Sequence, residues 1–454
     1  MKKIKIFNKL KLSEAVGGAF ICTGTSSFIY IYAASFIMLY YTNSVGISAA
    51  FLGTLMFLSR ILDAVSDVVM GAVMEKTKSR WGKARPWLLW SLLPMTVLMF
   101  LMFYVPNSLS DLGKNVYVSV TYILGIVVCM TIILMGYHAT MTKMCVDSVD
   151  RGILYAIVPV IANIFLIFVT ISVPYLLNYF GGNTSQKAWL IVTGIICVGY
   201  LIFTFAGFLM VKEHTDDEVN TQSTEVKKIP LWQQIKVALF NKYFVILLIL
   251  GTCIWGASGV QGSANIYYTT YVLHSDAAFS FVTFASYFPG IIMAPFCVGL
   301  FQKFGKKRVT LVGLTISVIC RGLIILQPYN AVWFVVFTFL ASLAQAPVAG
   351  MVFSLAGDVS EYGFVKHGIR ADALSSSALS FATKVGVGVG SAILGWGLAI
   401  GQFNNTVTVQ ADNTILALIV IELVVPAFMY LIALIGIGIW DIDKKIAEEK
   451  AKNS

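Results

Sequence analysis

Twelve apolar runs, each about 20 residues or longer, leave this chain little choice of class. Crossing a ~30 Å hydrocarbon layer takes about 20 helical residues. The runs fall at 16–41, 46–74, 86–106, 116–142, 152–180, 187–211, 241–272, 277–302, 307–327, 331–356, 372–401 and 414–440. The backbone inside hydrocarbon must bond to itself, so each run is expected to be a helix. The fold class is therefore an all-α membrane protein with twelve transmembrane helices.

Composition agrees. Of 454 residues, 58% are hydrophobic and 12% charged, and the mean hydropathy of +0.82 excludes a soluble globular chain. The net charge of +10 does not mark nucleic acid as a partner, because the basic residues sit in short blocks between apolar runs, as topology signals do. The partner is instead the lipid bilayer. Seven cysteines are scattered through the apolar segments without metal-ligand spacing, so they read as small buried residues.

One long polar stretch interrupts the pattern, from Lys212 to Lys236, with a short amphipathic piece around Leu231, Trp232 and Ile235. The expected division is a six-helix bundle over 1–211, a cytoplasmic linker over 212–240, a second bundle over 241–440 and a tail over 441–454. Lysine and arginine collect on one side: the N-terminal tail, Lys76 to Arg85, Lys143 and Arg151, the linker, Lys303 to Arg308, Lys366 and Arg370, and the C-terminal tail. That bias places both termini in the cytoplasm of a bacterial-type inner membrane. The halves also echo each other. Trp81-Gly82-Lys83-Ala84-Arg85 follows the second run, and Phe304-Gly305-Lys306-Lys307-Arg308 follows the eighth, 223 residues later. Two related six-helix bundles with matching basic turns give the major facilitator architecture, whose substrate path lies between halves at mid-membrane. The sequence has no metal cluster, nucleophile triad, phosphate loop or pore-filter repeat, so neither an enzyme nor a channel is indicated, and no cofactor.

The chemistry concentrates in the second run, Arg60-Ile-Leu-Asp63-Ala-Val-Ser66-Asp67. Helical spacing puts Asp63 and Asp67 on one face, with Arg60 a turn earlier and Ser66 beside them. A carboxylate at bilayer depth costs at least ~2.5–3.5 kcal/mol, and one arginine cannot neutralise two. The pattern points to a monovalent cation site. The structural alternative is an ion pair of Arg60 with one aspartate holding two helices together.

This second run and the loop Ser79-Arg80-Trp81-Gly82-Lys83-Ala84-Arg85-Pro86-Trp87 resemble the signature of the glycoside–pentoside–hexuronide:cation symporter family. Supporting pieces are Lys11-Leu-Ser13, Tyr40-Tyr41-Thr42-Asn43-Ser44-Val45-Gly46, Asp147-Ser148-Val149-Asp150-Arg151 and Gly357-Asp358-Val359-Ser360-Glu361-Tyr362-Gly363 with Lys366 and Arg370. The resemblance implies cation-coupled symport of a sugar, glycoside or hexuronide. It implies a coupling cation (Na⁺, Li⁺ or H⁺) bound by Asp63 and Asp67 with Ser66 and Thr131 as neutral oxygens, a set that suits sodium better than a proton. Thr131 has an alternative in a bond to its own backbone. The melibiose-type sugar positions are changed. No acid lies between Ala15 and Tyr41, and the family's fourth-span acid and tryptophan fall near Leu134 and His138. Its fifth-span arginine falls near Pro159. Its eleventh-span lysine matches Lys384.

Other candidates each carry two readings. Lys384 contacts substrate or pairs with a second-run aspartate, and His138 is a pocket residue or a satisfied polar group between helices. Tyr30, Tyr32, Tyr267 and Tyr268 stack on a sugar or pack. Arg321 in the ninth run snorkels or pairs, and Glu14 is expected to be solvated. Arg80, Lys83 and Arg85, with Lys306, Lys307 and Arg308, are expected to hold an inside gate by meeting helix C-terminal ends and acids such as Asp358 and Glu361. Lys366 and Arg370 extend that charged network. The rival functions are a lysolipid or efflux carrier on the same fold and a membrane sensor that does not transport.

Overall fold

The computed structural model describes residues 10–144, 148–213, 241–367, 372–405, 407, 409–442, 444–446 and 448. The expected linker centre, Arg370 and the stretch 145–147 lie outside them, and nothing is described of the Lys366 side chain. Twelve helices are long and apolar enough to cross a membrane. They are α1 (Leu12–Val45), α2 (Ala49–Lys76), α3 (Arg85–Met102), α4 (Asp111–Lys143), α5 (Ser148–Phe180) and α6 (Gln186–Met210), then α7 (Lys242–Val272), α8 (Asp276–Phe304), α9 (Lys306–Leu326), α10 (Ala331–His367), α11 (Asp372–Ile400) and α12 (Asp412–Gly438). The chain divides into two compact units. One comprises Met1–Ser223 with Asn404–Thr408, the other Thr224–Phe403 with Val409–Ser454.

In the first unit α1 is the buried helix, packed against α4, α5 and α6. Its core joins Ile21 and Cys22 to Leu88, Tyr137, Met141 and Val158. The surrounding helices turn apolar stripes outward. On α2 these are Leu58, Leu62, Val65, Val69 and Val73, all at least 40% exposed. The spacing of three to four residues is one helical face, and in a membrane protein that face meets lipid. Arg60 and Asp63 lie off that stripe and are buried. In the second unit α7 takes the central place, packed against α10, α11 and α12. Leu247, Leu250, Ile254, Val352, Leu379 and Tyr430 build its core.

Two details depart from the sequence reading. The tenth helix does not stop near 356 but runs to His367. Asp358 and Glu361 therefore stand on helix rather than loop, since loss of hydrophobicity marks the end of the membrane and not of the helix. Several spans also contain wide π-helical turns: Thr23–Tyr30 and Tyr40–Val45 in α1, Ile123–Cys129 in α4, Tyr268–Val272 in α7 and Val420–Val424 in α12. Such turns break the regular i→i−4 ladder and tend to mark functional positions.

Candidate functional site

The acids of α2 meet the wide turn of α4. Thr131 donates its hydroxyl hydrogen to Asp63 Oδ1 at 2.6 Å, and Arg60 Nη1 stands 3.8 Å from Asp63 Oδ2. Ser66 donates to the Val127 carbonyl at 3.1 Å, inside the Ile123–Cys129 segment. Asp63 is 6% exposed and Arg60 9%. Around the guanidinium stand the hydroxyls of Tyr30 and Tyr122, with Ser59 against Tyr122. Tyr30 closes the π-helical turn of α1, which brings it to this cluster. Asp67 is half-buried one turn beyond Asp63, and His138 on α4 lies within its electrostatic reach while remaining exposed. Asp63 thus joins Arg60 on its own helix to Thr131 on α4, and Ser66 ties the same stretch of α2 to Val127. Two carboxylates one turn apart on a membrane helix concentrate negative charge that is costly at bilayer depth. Oxygen donors from two helices suit an alkali cation.

Lys384 sits on α11, where α7 passes at backbone contact. A Cβ at Gly386 would come within 2.6 Å of the Thr252 carbonyl, and one at Gly390 within 2.6 Å of the Gly256 carbonyl. Small residues let the two backbones approach and fix the height of Lys384 in the bundle. Tyr268 is fully buried, donates its hydroxyl to the Pro328 carbonyl and stacks on Phe334 at 4.8 Å. Tyr32 is similarly engaged, hydroxyl to Thr193 and ring on Phe103. Both tyrosines pack against aromatic neighbours.

Arg321 pairs, with a partner the sequence reading passed over. Glu422 lies 3.6 Å away, in the π-helical turn of α12, and both side chains are at most 2% exposed. The clue was a lone acid in a long apolar run. Glu14 is not solvated as expected. It is buried and accepts the Lys11 backbone N–H at 3.2 Å, closing the first turn of α1.

The two basic turns engage different partners. In the first, the backbone N–H groups of Lys83, Ala84 and Arg85 converge on the Glu213 carboxylate at 2.9, 3.0 and 3.2 Å, with Lys143 Nζ 3.6 Å away. Successive N–H groups at the start of α3 make an anion cradle. Gly82, at φ 103°, lets the chain wrap this closely, since a Cβ there would fall 2.2 Å from Glu213 Oε2. Arg85 donates to the Phe208 carbonyl at 2.6 Å, near the end of α6, and lies over the Phe208 ring. Arg80 lies over the Trp81 ring at 4.4 Å. In the second turn Lys306 bonds Asp358 at 3.0 Å, and Lys307 donates to the carbonyls of Gly438, the last residue of α12, and of Trp440 beyond it. Arg85 and Lys307 thus both satisfy carbonyls at a helix C-terminus. Arg308 differs: it is exposed and has no ion pair or hydrogen bond among the described residues.

Two six-helix units, matching basic turns and an acid pair in the second span define a secondary transporter of the major facilitator type. Residues 20–444 match the model of the MFS/sugar transport protein family, and the chain belongs to that family. It is a transporter and not an enzyme, and a multi-pass membrane protein. The isoprimeverose transporter of Lactiplantibacillus pentosus is 28% identical over 84% of this chain and 79% of its own. The glucuronide carrier protein homolog of Escherichia coli (strain K12) is 26% identical over 93% and 91%. The crystal structure of the nucleoside transporter NupG superposes with a TM-score of 0.64 over 96% of this chain and all of that one, at 12% identity, a likeness of fold alone.

Proposed function

We propose that the protein is a cation-coupled symporter of a sugar, glycoside or hexuronide, working by alternating access with both termini in the cytoplasm of the inner membrane. The observation that carries the reading is the Asp63–Thr131 bond beside Arg60, with Asp67 one turn on. The negative charge of two carboxylates this close together is costly in low dielectric. A cation bound by Asp63, Asp67, Ser66 and Thr131 offsets it and organises the neighbouring substrate site, so each ligand raises the affinity of the other. Sodium is the preferred cation, because a proton needs only one carboxylate while a metal ion uses several oxygens. An inside-negative potential adds ~2.3 kcal/mol per charge per 100 mV to inward movement.

Lys384, His138, Tyr30 and Tyr268 are the proposed substrate contacts. Arg80, Lys83 and Arg85, with Lys306, Lys307, Asp358 and Glu361, are the proposed inside gate, through helix-end and carboxylate contacts of the kind Arg85 and Lys306 make. A transported sugar fits relatives named an isoprimeverose transporter and a glucuronide carrier protein homolog. The test is uptake into proteoliposomes, with a panel of sugars crossed against sodium, lithium and proton gradients. Sugar accumulation that follows one imposed cation gradient is expected. Uptake indifferent to all three would overturn the coupling.

A further inference from the structure

Helices α8, α9 and α10 leave between them an apolar cavity of about 420 Å³, lined by Leu300, Val312, Ile316, Leu343 and Pro347 among others. Part of its wall belongs to the outer surface of the unit, since Phe304, Val312 and Ile316 are 48%, 58% and 38% exposed. Arg308 stands at the rim. Of the three basic residues in its turn, Lys306 is held by Asp358 and Lys307 by carbonyls at the end of α12. Arg308 has no hydrogen bond or ion pair among the described residues. Lys303, also exposed, lies 5.4 Å from the ring of Phe304, itself part of the lining. An apolar slot lined by an exposed arginine that is unpaired among the described residues, with a lysine beside its Phe304, is complementary to one class of molecule that a membrane supplies.

We propose that this groove is a binding site for an anionic phospholipid, its acyl chain in the cavity and its phosphate on Arg308 with support from Lys303. The lining excludes the transported sugar, because it offers hydroxyl groups almost nothing to bond to. It also explains why the headgroup must decide selectivity. A lipid tail is already in hydrocarbon, so moving it into the groove gains little. A phosphate gains a charge-assisted bond from a guanidinium, and basic pockets between helices at the membrane surface favour anionic headgroups.

The experiment uses the full chain purified in detergent and does not depend on transport. Native mass spectrometry and thermal unfolding compare added dioleoyl phosphatidylglycerol with dioleoyl phosphatidylcholine, which share the same tails. Tighter retention of phosphatidylglycerol is expected. Arg308→Gln should weaken it by about fivefold, the equivalent of the roughly 1 kcal/mol a basic side chain gains at an anionic surface, and leave phosphatidylcholine unchanged. Arg308→Lys should keep most of the preference, which separates charge from folding. Val312→Trp, which fills the slot, should weaken both lipids. Equal retention of the two lipids by the wild type would overturn the proposal, as would an intact preference in Arg308→Gln. So would full retention in Val312→Trp, or a dimer of the chain that covers the groove and excludes lipid.

Discussion

Thr131 and Asp63, 68 residues apart on different helices, share a 2.6 Å hydrogen bond in which the threonine donates. The bond ties α2 to α4 just past its wide turn and leaves Asp63 Oδ2 to Arg60. A hydrogen bond to a charged group contributes ~1.5–3 kcal/mol. Thr131→Val should therefore weaken cation activation of uptake by on the order of tenfold, while Asp63→Cys or Asp67→Cys should abolish it and leave some sugar binding. The measurement is uptake against cation concentration. Full sodium or proton stimulation in both aspartate variants would remove the acids from the cation site.

Gly82 and Glu213 make a second, purely structural prediction. Gly82→Ala puts a Cβ into the carboxylate and forces a φ of 103° on an L side chain, a strain of ~1–3 kcal/mol. Glu213→Gln keeps an oxygen that accepts the same N–H groups. Thermal unfolding in detergent should show a clear loss for Gly82→Ala and a smaller one for Glu213→Gln. Equal stability of Gly82→Ala and wild type would mean the cradle opens without cost.

Much of this was legible in the chain, for physical reasons that differ by residue. The twelve spans and the inward face of Asp63 need only hydrophobicity and a 3.6-residue period, since the α2 stripe from Leu58 to Val73 leaves Asp63 off the lipid side. Glu213 was invisible because its partners are backbone N–H groups, which have no sequence signature. The π-helical turn at Ile123–Cys129 was invisible too, since its apolar residues suit an ordinary helix equally well. Glu422 was legible and passed over: one acid among apolar neighbours is a functional or paired residue by default.

The Arg321–Glu422 pair should be costly to break and cheap to replace. Removing one partner strands a buried charge, typically ~3–5 kcal/mol, whereas replacing both with apolar residues is often neutral. Arg321→Met and Glu422→Leu should each lower the unfolding temperature sharply, and the double variant should recover most of the loss. A double variant as unstable as the sum of the two would show that each residue has another essential partner.

Acid should dissolve one contact at the end of α12. Asp441 is held below the ordinary carboxylate range, first by the Tyr243 hydroxyl and then by Lys242. A depressed native pKa stabilises the fold above the unfolded value of ~3.9, and that contribution is lost as pH falls through the native value. Tyr243→Phe should therefore lower thermal stability at neutral pH, and the gap to wild type should close in acid. A gap that persists undiminished at low pH would show that the Asp441 charge is not its source, since phenylalanine keeps the ring contacts with Tyr362 and Trp440.

Lys384 sets the substrate question. The melibiose-type pattern balances its eleventh-span lysine with acids in the first and fourth spans, and here α1 carries no acid between Ala15 and Tyr41 while Leu134 and His138 stand in α4. A carboxylate-bearing sugar can give Lys384 a charge-assisted bond that a neutral sugar cannot. Uptake of a glucuronide should exceed that of its matching neutral glucoside. Lys384→Ala should cut the glucuronide by roughly tenfold, the worth of one bond to a charged group, and touch the glucoside less. Should the neutral sugar be preferred and Lys384→Ala leave that preference unchanged, the lysine serves the cation machinery and the pocket recognises its sugar through hydroxyl groups alone.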